Sequence, residues 1–76
     1  MEIKVLGTGC KKCKELESNA REAVKEKGID GKVEKVEDMS AIMEYGVMKT
    51  PALVVDGEVK VMGKLLSVEE IISLLP

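Results

Sequence analysis

Hydrophobic and polar positions change their spacing several times along the chain, and each spacing predicts a different element. Apolar residues alternate with polar ones over Glu2–Leu6 and again over Glu58–Met62, which is the two-residue period of a half-buried strand. Between residues 11 and 27 they recur every three or four positions, which predicts a long amphipathic helix. The continuous apolar run Ala52–Val55 is typical of a strand covered on both faces.

Charged and turn-forming residues predict the remaining elements and their ends. Lys32–Glu37 carries only two hydrophobic residues, Val33 and Val36, which suits a strand at a sheet edge. Glycines, N-capping side chains and a capping box mark the boundaries. These signals are Gly28 after the long helix, Asp38 or Ser40 before a short helix that Gly46 ends, Asp56-Gly57 between the last two strands, and Ser67-x-x-Glu70 before a closing helix.

The predicted order is strand, helix, strand, helix, hairpin, helix within 76 residues, which is enough for one small domain spanning residues 1–76. A right-handed crossover makes the first two strands parallel, and the third strand is expected beside the first. We therefore expect an α/β fold, βαβαββα, with a four-stranded mixed sheet in the order 2-1-3-4 and helices on both faces.

Composition excludes several classes of function. A net charge of −2 and a single aromatic residue, Tyr45, argue against nucleic-acid binding, and no apolar run reaches the roughly 18 residues of a membrane helix. The first residues do not form a secretion signal, so we expect a cytoplasmic protein, and nothing requires more than a monomer. The chain has no histidine, which removes imidazole from catalysis and metal binding. Five methionines are expected to fill core gaps that aromatic residues usually occupy, the alternative being an adaptable docking surface.

The two cysteines, Cys10 and Cys13, are the strongest chemical signal in the chain. They stand two residues apart, where the first predicted strand turns into the long helix. The helix N-terminus favours a thiolate, and thiolates attack disulfides. Cys10 is expected at or beside the N-cap, where unpaired backbone N–H groups face its sulfur, whereas Cys13, one turn into the helix, lies on the apolar stripe. We therefore expect Cys10 to attack a disulfide and the more enclosed Cys13 to resolve the mixed disulfide.

Lysines and glycines surround this pair. Positive charge favours the thiolate, although solvated lysines on a helix surface are equally common. Small residues before the first cysteine are expected to leave the backbone uncovered, so that a partner can reach the sulfur. The lysines are Lys11, Lys12 and Lys14, and the small residues are Gly7 and Gly9.

A second feature is Lys49-Thr50-Pro51, immediately before the buried strand. Proline lacks the N–H group that a sheet ladder uses, so Pro51 suits the start of a strand or a bend. Residue physics alone favours a trans bond here, because only about 5–6% of X-Pro bonds in folded proteins are cis.

Taken together, three features resemble the thioredoxin/glutaredoxin family, and more closely its small prokaryotic redox-active disulfide proteins. They are Cys10-Lys11-Lys12-Cys13 after the first strand, Thr50-Pro51 before the third and Gly63 after the fourth, so that the resemblance covers essentially the whole chain. It implies a thioredoxin-like fold and thiol–disulfide oxidoreductase activity. It also implies a cis Pro51 packed against the disulfide, and a Thr50 backbone offered to an extended substrate.

The resemblance further implies the partners: disulfide-containing protein substrates, and an upstream thiol reductase or small thiol as electron donor. The redox-active Cys10–Cys13 disulfide would need no other cofactor and no metal. Gly9, Lys11, Lys12 and Gly63 are the other implied substrate contacts. The chain departs from the family where Gly9 replaces an aromatic residue, where Lys11-Lys12 fill the motif, and where Lys4 falls near thioredoxin's buried aspartate.

Two other functions compete with this interpretation. Copper-chaperone domains also place Cys-x-x-Cys at the end of a first strand, so Cys10 and Cys13 could carry soft Cu(I). Those domains, however, run strand-helix-strand-strand-helix-strand and usually have methionine where Thr8 stands. The third function is a binding module that keeps the fold without turnover, which the presence of both cysteines disfavours.

Overall fold

The computed structural model describes residues 1–9 and 11–75. These residues form four strands and three helices in the order that the sequence predicts. The elements are β1 (Glu2–Leu6), α1 (Lys11–Lys27), β2 (Lys32–Val36), α2 (Met39–Glu44), β3 (Ala52–Val55), β4 (Glu58–Met62) and α3 (Val68–Leu74).

The strands build one mixed sheet in the order β2-β1-β3-β4, which confirms the predicted topology. β1 runs parallel to β2 and antiparallel to β3, and β4 pairs antiparallel with β3. In this register Ala52 lies opposite both Leu6 and Met62. The end of β1, the start of β3 and the end of β4 therefore meet at one edge of the sheet, which we call the upper edge.

Aliphatic side chains pack on both faces of the sheet. On one face Ile3, Val5 and Leu53 pack with buried residues of α1 and α3. On the other face Leu6 and Val54 pack with Ile42 of α2. Because every residue of Ala52–Val55 is buried, β3 is covered on both faces as expected.

Capping side chains fix the helix ends where the sequence predicted them. Asp38, rather than Ser40, caps α2 by accepting a hydrogen bond from the Ser40 N–H. Ser67 and Glu70 form both hydrogen bonds of the capping box that opens α3. The prediction for β2 was one residue too long: the strand ends at Val36, whose carbonyl accepts from the Gly7 N–H at 2.9 Å.

The methionines do not fill the core, and that expectation is wrong for four of the five. Their exposed fractions are 56% for Met39, 68% for Met43, 93% for Met48 and 51% for Met62. Isoleucine, leucine and valine, with three alanines and Cys13, fill the interior instead. None of the helices in the described part of the chain has the length and hydrophobicity needed to cross a membrane.

Candidate functional site

The corner between β1 and α1 carries the cysteine motif. Cys10 lies outside the described residues, so its expected place at the helix N-cap stays a prediction. Cys13 is the third residue of α1 and is 2% exposed, in line with the enclosed position that the helical period predicted. Lys11 and Lys12, the first two residues of α1, are exposed.

Gly7 brings the backbone of β1 directly against Cys13. An ideal Cβ placed on Gly7 would fall 2.9 Å from the Cys13 Cβ and would overlap the Cys13 Sγ. Gly7 is itself buried, so the expectation that it leaves the backbone open to a partner is wrong. Its function is steric, because only a residue without a side chain allows this close approach.

The Thr50-Pro51 segment joins the same corner. The Thr50–Pro51 peptide bond is cis, as the family resemblance implied and residue physics alone did not. The Thr50 Cβ lies 3.9 Å from the same ideal Cβ position on Gly7, while Pro51 is buried. Three segments that are far apart in sequence therefore converge at the upper edge, around Gly7, Cys13 and Thr50.

Gly63 is tied to this segment from the end of β4. Its N–H donates a hydrogen bond to the Pro51 carbonyl at 2.8 Å. With φ at +75°, Gly63 adopts a conformation that side chains rarely tolerate, and an added Cβ would lie 3.0 Å from the Lys49 Cβ. The structure thus places Gly63 beside Thr50-Pro51.

Sequence reasoning missed Glu37. One of its carboxylate oxygens lies 3.1 Å from the position of an ideal Cβ on Gly9, and the other pairs with Lys35 at 3.2 Å. A negative charge therefore stands beside the residue that precedes Cys10. The parallel pairing of β1 with β2 was the available signal, because it brings the residue after each strand to the same edge.

Lys4, which the family resemblance would place near thioredoxin's buried acid, contacts Tyr45 instead. Its ammonium donates a hydrogen bond to the Tyr45 hydroxyl at 3.3 Å and lies 6.0 Å from the ring centroid. The Tyr45 hydrogen bond raises the pKa of Lys4 above its ordinary value. Lys4 and Tyr45 line a cavity of about 380 Å³ together with Val36, Ala41 and Glu44. This cavity lies on the α2 face of the sheet, whereas Cys13 is on the α1 face.

The metal-carrier alternative receives no support from the fold. The described elements run strand, helix, strand, helix, hairpin, helix, which is not the order of the copper-chaperone domains.

Comparisons with known proteins agree with this geometry. A family model described as a thioredoxin domain matches residues 1–76. A protein named thioredoxin from Methanothermobacter thermautotrophicus is 53% identical over 75 residues, covering 99% of this chain and 97% of the relative. One from Methanocaldococcus jannaschii, also named thioredoxin, is 44% identical over 69 residues, covering 91% of this chain and 79% of the relative. The chain belongs to the thioredoxin family of thiol–disulfide oxidoreductases.

Proposed function

We propose that this protein reduces disulfide bonds in partner proteins and small molecules, using Cys10 and Cys13 as a dithiol. The observation that carries the proposal is the convergence of Cys13, Gly7 and Thr50 at the upper edge of the sheet. The buried Cys13 sulfur lies against the Gly7 backbone. The exposed Thr50, which precedes the buried Pro51, lies next to the same glycine.

In the proposed cycle the Cys10 thiolate attacks one sulfur of the substrate disulfide. That S–S bond breaks, a mixed disulfide forms, and the first substrate thiolate leaves and takes a proton from water. The Cys13 thiolate then attacks the Cys10 sulfur and releases the second substrate thiolate. The substrate has gained two electrons, and the Cys10–Cys13 disulfide has formed.

An upstream thiol reductase or small thiol returns the two electrons, so the cycle uses no cofactor beyond the cysteine pair. The names of the two relatives support protein disulfides as substrates and a reductase as partner. A reducing compartment such as the cytoplasm suits this direction, because it keeps the pair in the dithiol form.

Substrate binding is assigned to the residues around the convergence. Thr50 is exposed beside the buried Pro51, so its backbone can pair with an extended substrate segment as an added strand. Gly63 holds the Pro51 carbonyl, and Gly9, Lys11 and Lys12 would line the opposite side of the substrate.

Two cysteine variants test the proposal. Cys10→Ser should abolish insulin reduction, because the attacking sulfur is gone. Cys13→Ser should accumulate a mixed disulfide with the substrate, visible by mass spectrometry, because Cys10 still attacks but nothing resolves the product. Insulin reduction by Cys10→Ser at the wild-type rate would disprove the assignment of roles. Wild type should accept electrons from thioredoxin reductase or from glutathione, and parallel assays with each identify the donor.

A further inference from the structure

Most cationic side chains of the described residues have a hydrogen-bonding or ion-pair partner within the chain. Arg21, Lys32, Lys35, Lys60 and Lys64 form ion pairs with glutamates, Lys4 binds the Tyr45 hydroxyl, and Lys27 binds the carbonyls of Ile72 and Leu75. Among residues 1–9 and 11–75, five lysines have neither an ion pair nor a side-chain hydrogen bond. They are Lys11, Lys12, Lys14, Lys25 and Lys49.

Four of these five lysines lie at the site. Lys12 and Lys14 flank Cys13 in the sequence, Lys11 begins the same helix, and Lys49 precedes Thr50. All four are exposed. Cys13 and Thr50 both lie next to Gly7. The three lysines of α1 and Lys49, which comes from a different segment, therefore border the same site. We call these four residues the basic rim.

The stability of the fold does not account for the basic rim. A cation in the first turn of a helix opposes the helix dipole, and α1 has no acidic residue there to offset it. Lys25, the fifth lysine, stands in the last turn of α1, where a positive charge is favourable. The unpaired lysines at the start of α1 are therefore unfavourable for the helix, whereas Lys25, far from the site, is favourable.

Acidic residues near the basic rim do not cancel it. Glu37 pairs with Lys35, and Asp38 accepts the capping hydrogen bond from Ser40. Glu15 is exposed one turn further along α1 and forms no ion pair with a rim lysine within the described residues. The rim is thus positively charged on a chain whose net charge is −2.

We propose that the basic rim selects disulfide partners whose reacting cysteine is flanked by acidic residues, an inference that rests on the proposed oxidoreductase function. A partner segment paired with Thr50 would pass between Lys49 on one side and Lys11, Lys12 and Lys14 on the other. Carboxylates on that segment supply the counter-charges that the fold does not. Such complementarity acts mainly on the rate of association and weakens as salt screens it.

Two synthetic peptides test this inference. Both carry one intramolecular disulfide of the same ring size, and they differ only in having glutamate or glutamine beside each cysteine. We expect reduced wild-type protein to turn over the glutamate peptide with a kcat/KM about tenfold higher at low salt. The ratio should fall to within about twofold in 0.5 M NaCl. Both peptides react with the same cysteine pair of the protein. The ratio of their kcat/KM values is therefore independent of any change in the intrinsic reactivity of the protein's thiols.

Matched triple variants locate the effect. Lys12→Gln with Lys14→Gln and Lys49→Gln should bring the ratio close to one. Lys25→Gln with Lys32→Gln and Lys60→Gln removes the same charge far from the site and should keep the wild-type ratio. Equal turnover of both peptides by wild type, or loss of the ratio in both triple variants, would overturn the inference while leaving the oxidoreductase function intact. Failure to reduce either peptide would overturn the proposed function itself.

Discussion

Gly7 and Cys13 are in contact so close that no side chain fits between them. An ideal Cβ on Gly7 would lie 2.9 Å from the Cys13 Cβ and would overlap its sulfur. Gly7 has no positive φ that would require glycine, so the need for glycine comes from Cys13 alone. The last residue before the cysteine loop and the enclosed cysteine are thus fitted to each other.

Gly7→Ala should therefore destabilise the protein and slow insulin reduction. The added methyl group must displace the sulfur of Cys13 or the end of β1, and overpacking of this kind costs about 1–3 kcal/mol. Denaturant unfolding gives the change in free energy, and the insulin assay gives the change in rate.

Gly31→Ala is the matched control for that substitution. Its Cβ would meet side-chain methyl groups, those of Val24 at 3.3 and 3.4 Å and the Cδ1 of Ile3 at 3.7 Å, and its φ is not positive. The free energy of unfolding should stay within about 1 kcal/mol of wild type, since alanine also restricts the unfolded chain. A Gly7→Ala protein as stable and active as Gly31→Ala would refute the steric role of Gly7.

Gly63 offers a second test, because its N–H binds the Pro51 carbonyl in the proposed substrate-binding segment and its positive φ strains any other residue. Gly63 and Gly57 both have positive φ, +75° and +82°, so alanine should cost roughly 1–2 kcal/mol at either position. Only at Gly63 would the new Cβ also press on Lys49, whereas Gly57 faces open space. We expect Gly63→Ala to raise the KM for peptide disulfides and Gly57→Ala to leave it unchanged. The same KM in both variants would show that Gly63 does not contribute to substrate binding.

Local signals predicted the fold well because each element has its own pattern and its own ends. The capping box of Ser67 and Glu70 and the burial of Cys13 could both be predicted from spacing, since neither depends on a distant part of the chain. The methionines could not, because their exposure depends on whether isoleucine and leucine already fill the core. The cis bond of Thr50–Pro51 followed only from the family resemblance.

Contacts between distant segments account for the parts of the site that the sequence missed. Gly7 with Cys13, and Gly9 with Glu37, depend on how two neighbouring strands end relative to each other. Extending β2 by one residue, as the sequence pattern does, places Glu37 in the strand instead of in the loop that follows it, and hides this contact. Element order alone therefore locates the site but not its steric and charged neighbours.

The capping box of α3 predicts a specific dependence of stability on pH. Hydrogen bonds from Ser67 to the Glu70 carboxylate, followed by the nearby Lys64, lower the pKa of Glu70. A carboxyl group with a lowered pKa in the folded state stabilises the protein above its ordinary pKa, and this stabilisation is lost as the pH falls through the folded value. The difference in unfolding free energy between wild type and Glu70→Gln should therefore shrink from about pH 5 to about pH 3.

Ser67→Ala tests the other half of the same capping box. It removes the hydroxyl that accepts the Glu70 N–H and should cost about 1 kcal/mol at neutral pH. Ser18→Ala, on the exposed surface of α1, should stay within about 0.5 kcal/mol of wild type. Equal stability of the two alanine variants would mean that the cap contributes nothing to the docking of α3.

Glu37 should hold back ionisation of the proposed attacking thiol. Its carboxylate lies against Gly9, the residue before Cys10, and a nearby negative charge disfavours a thiolate. Glu37→Gln also frees Lys35, whose positive charge then acts without a partner. The midpoint of the pH dependence of Cys10 alkylation, followed in Cys13→Ser protein, should fall by about 0.3 pH unit. Glu34→Gln, within β2 and paired with Lys32, is the control and should leave the midpoint unchanged. A midpoint that does not move in Glu37→Gln, or that moves equally in both variants, would show that the carboxylate beside Gly9 does not act on the thiol.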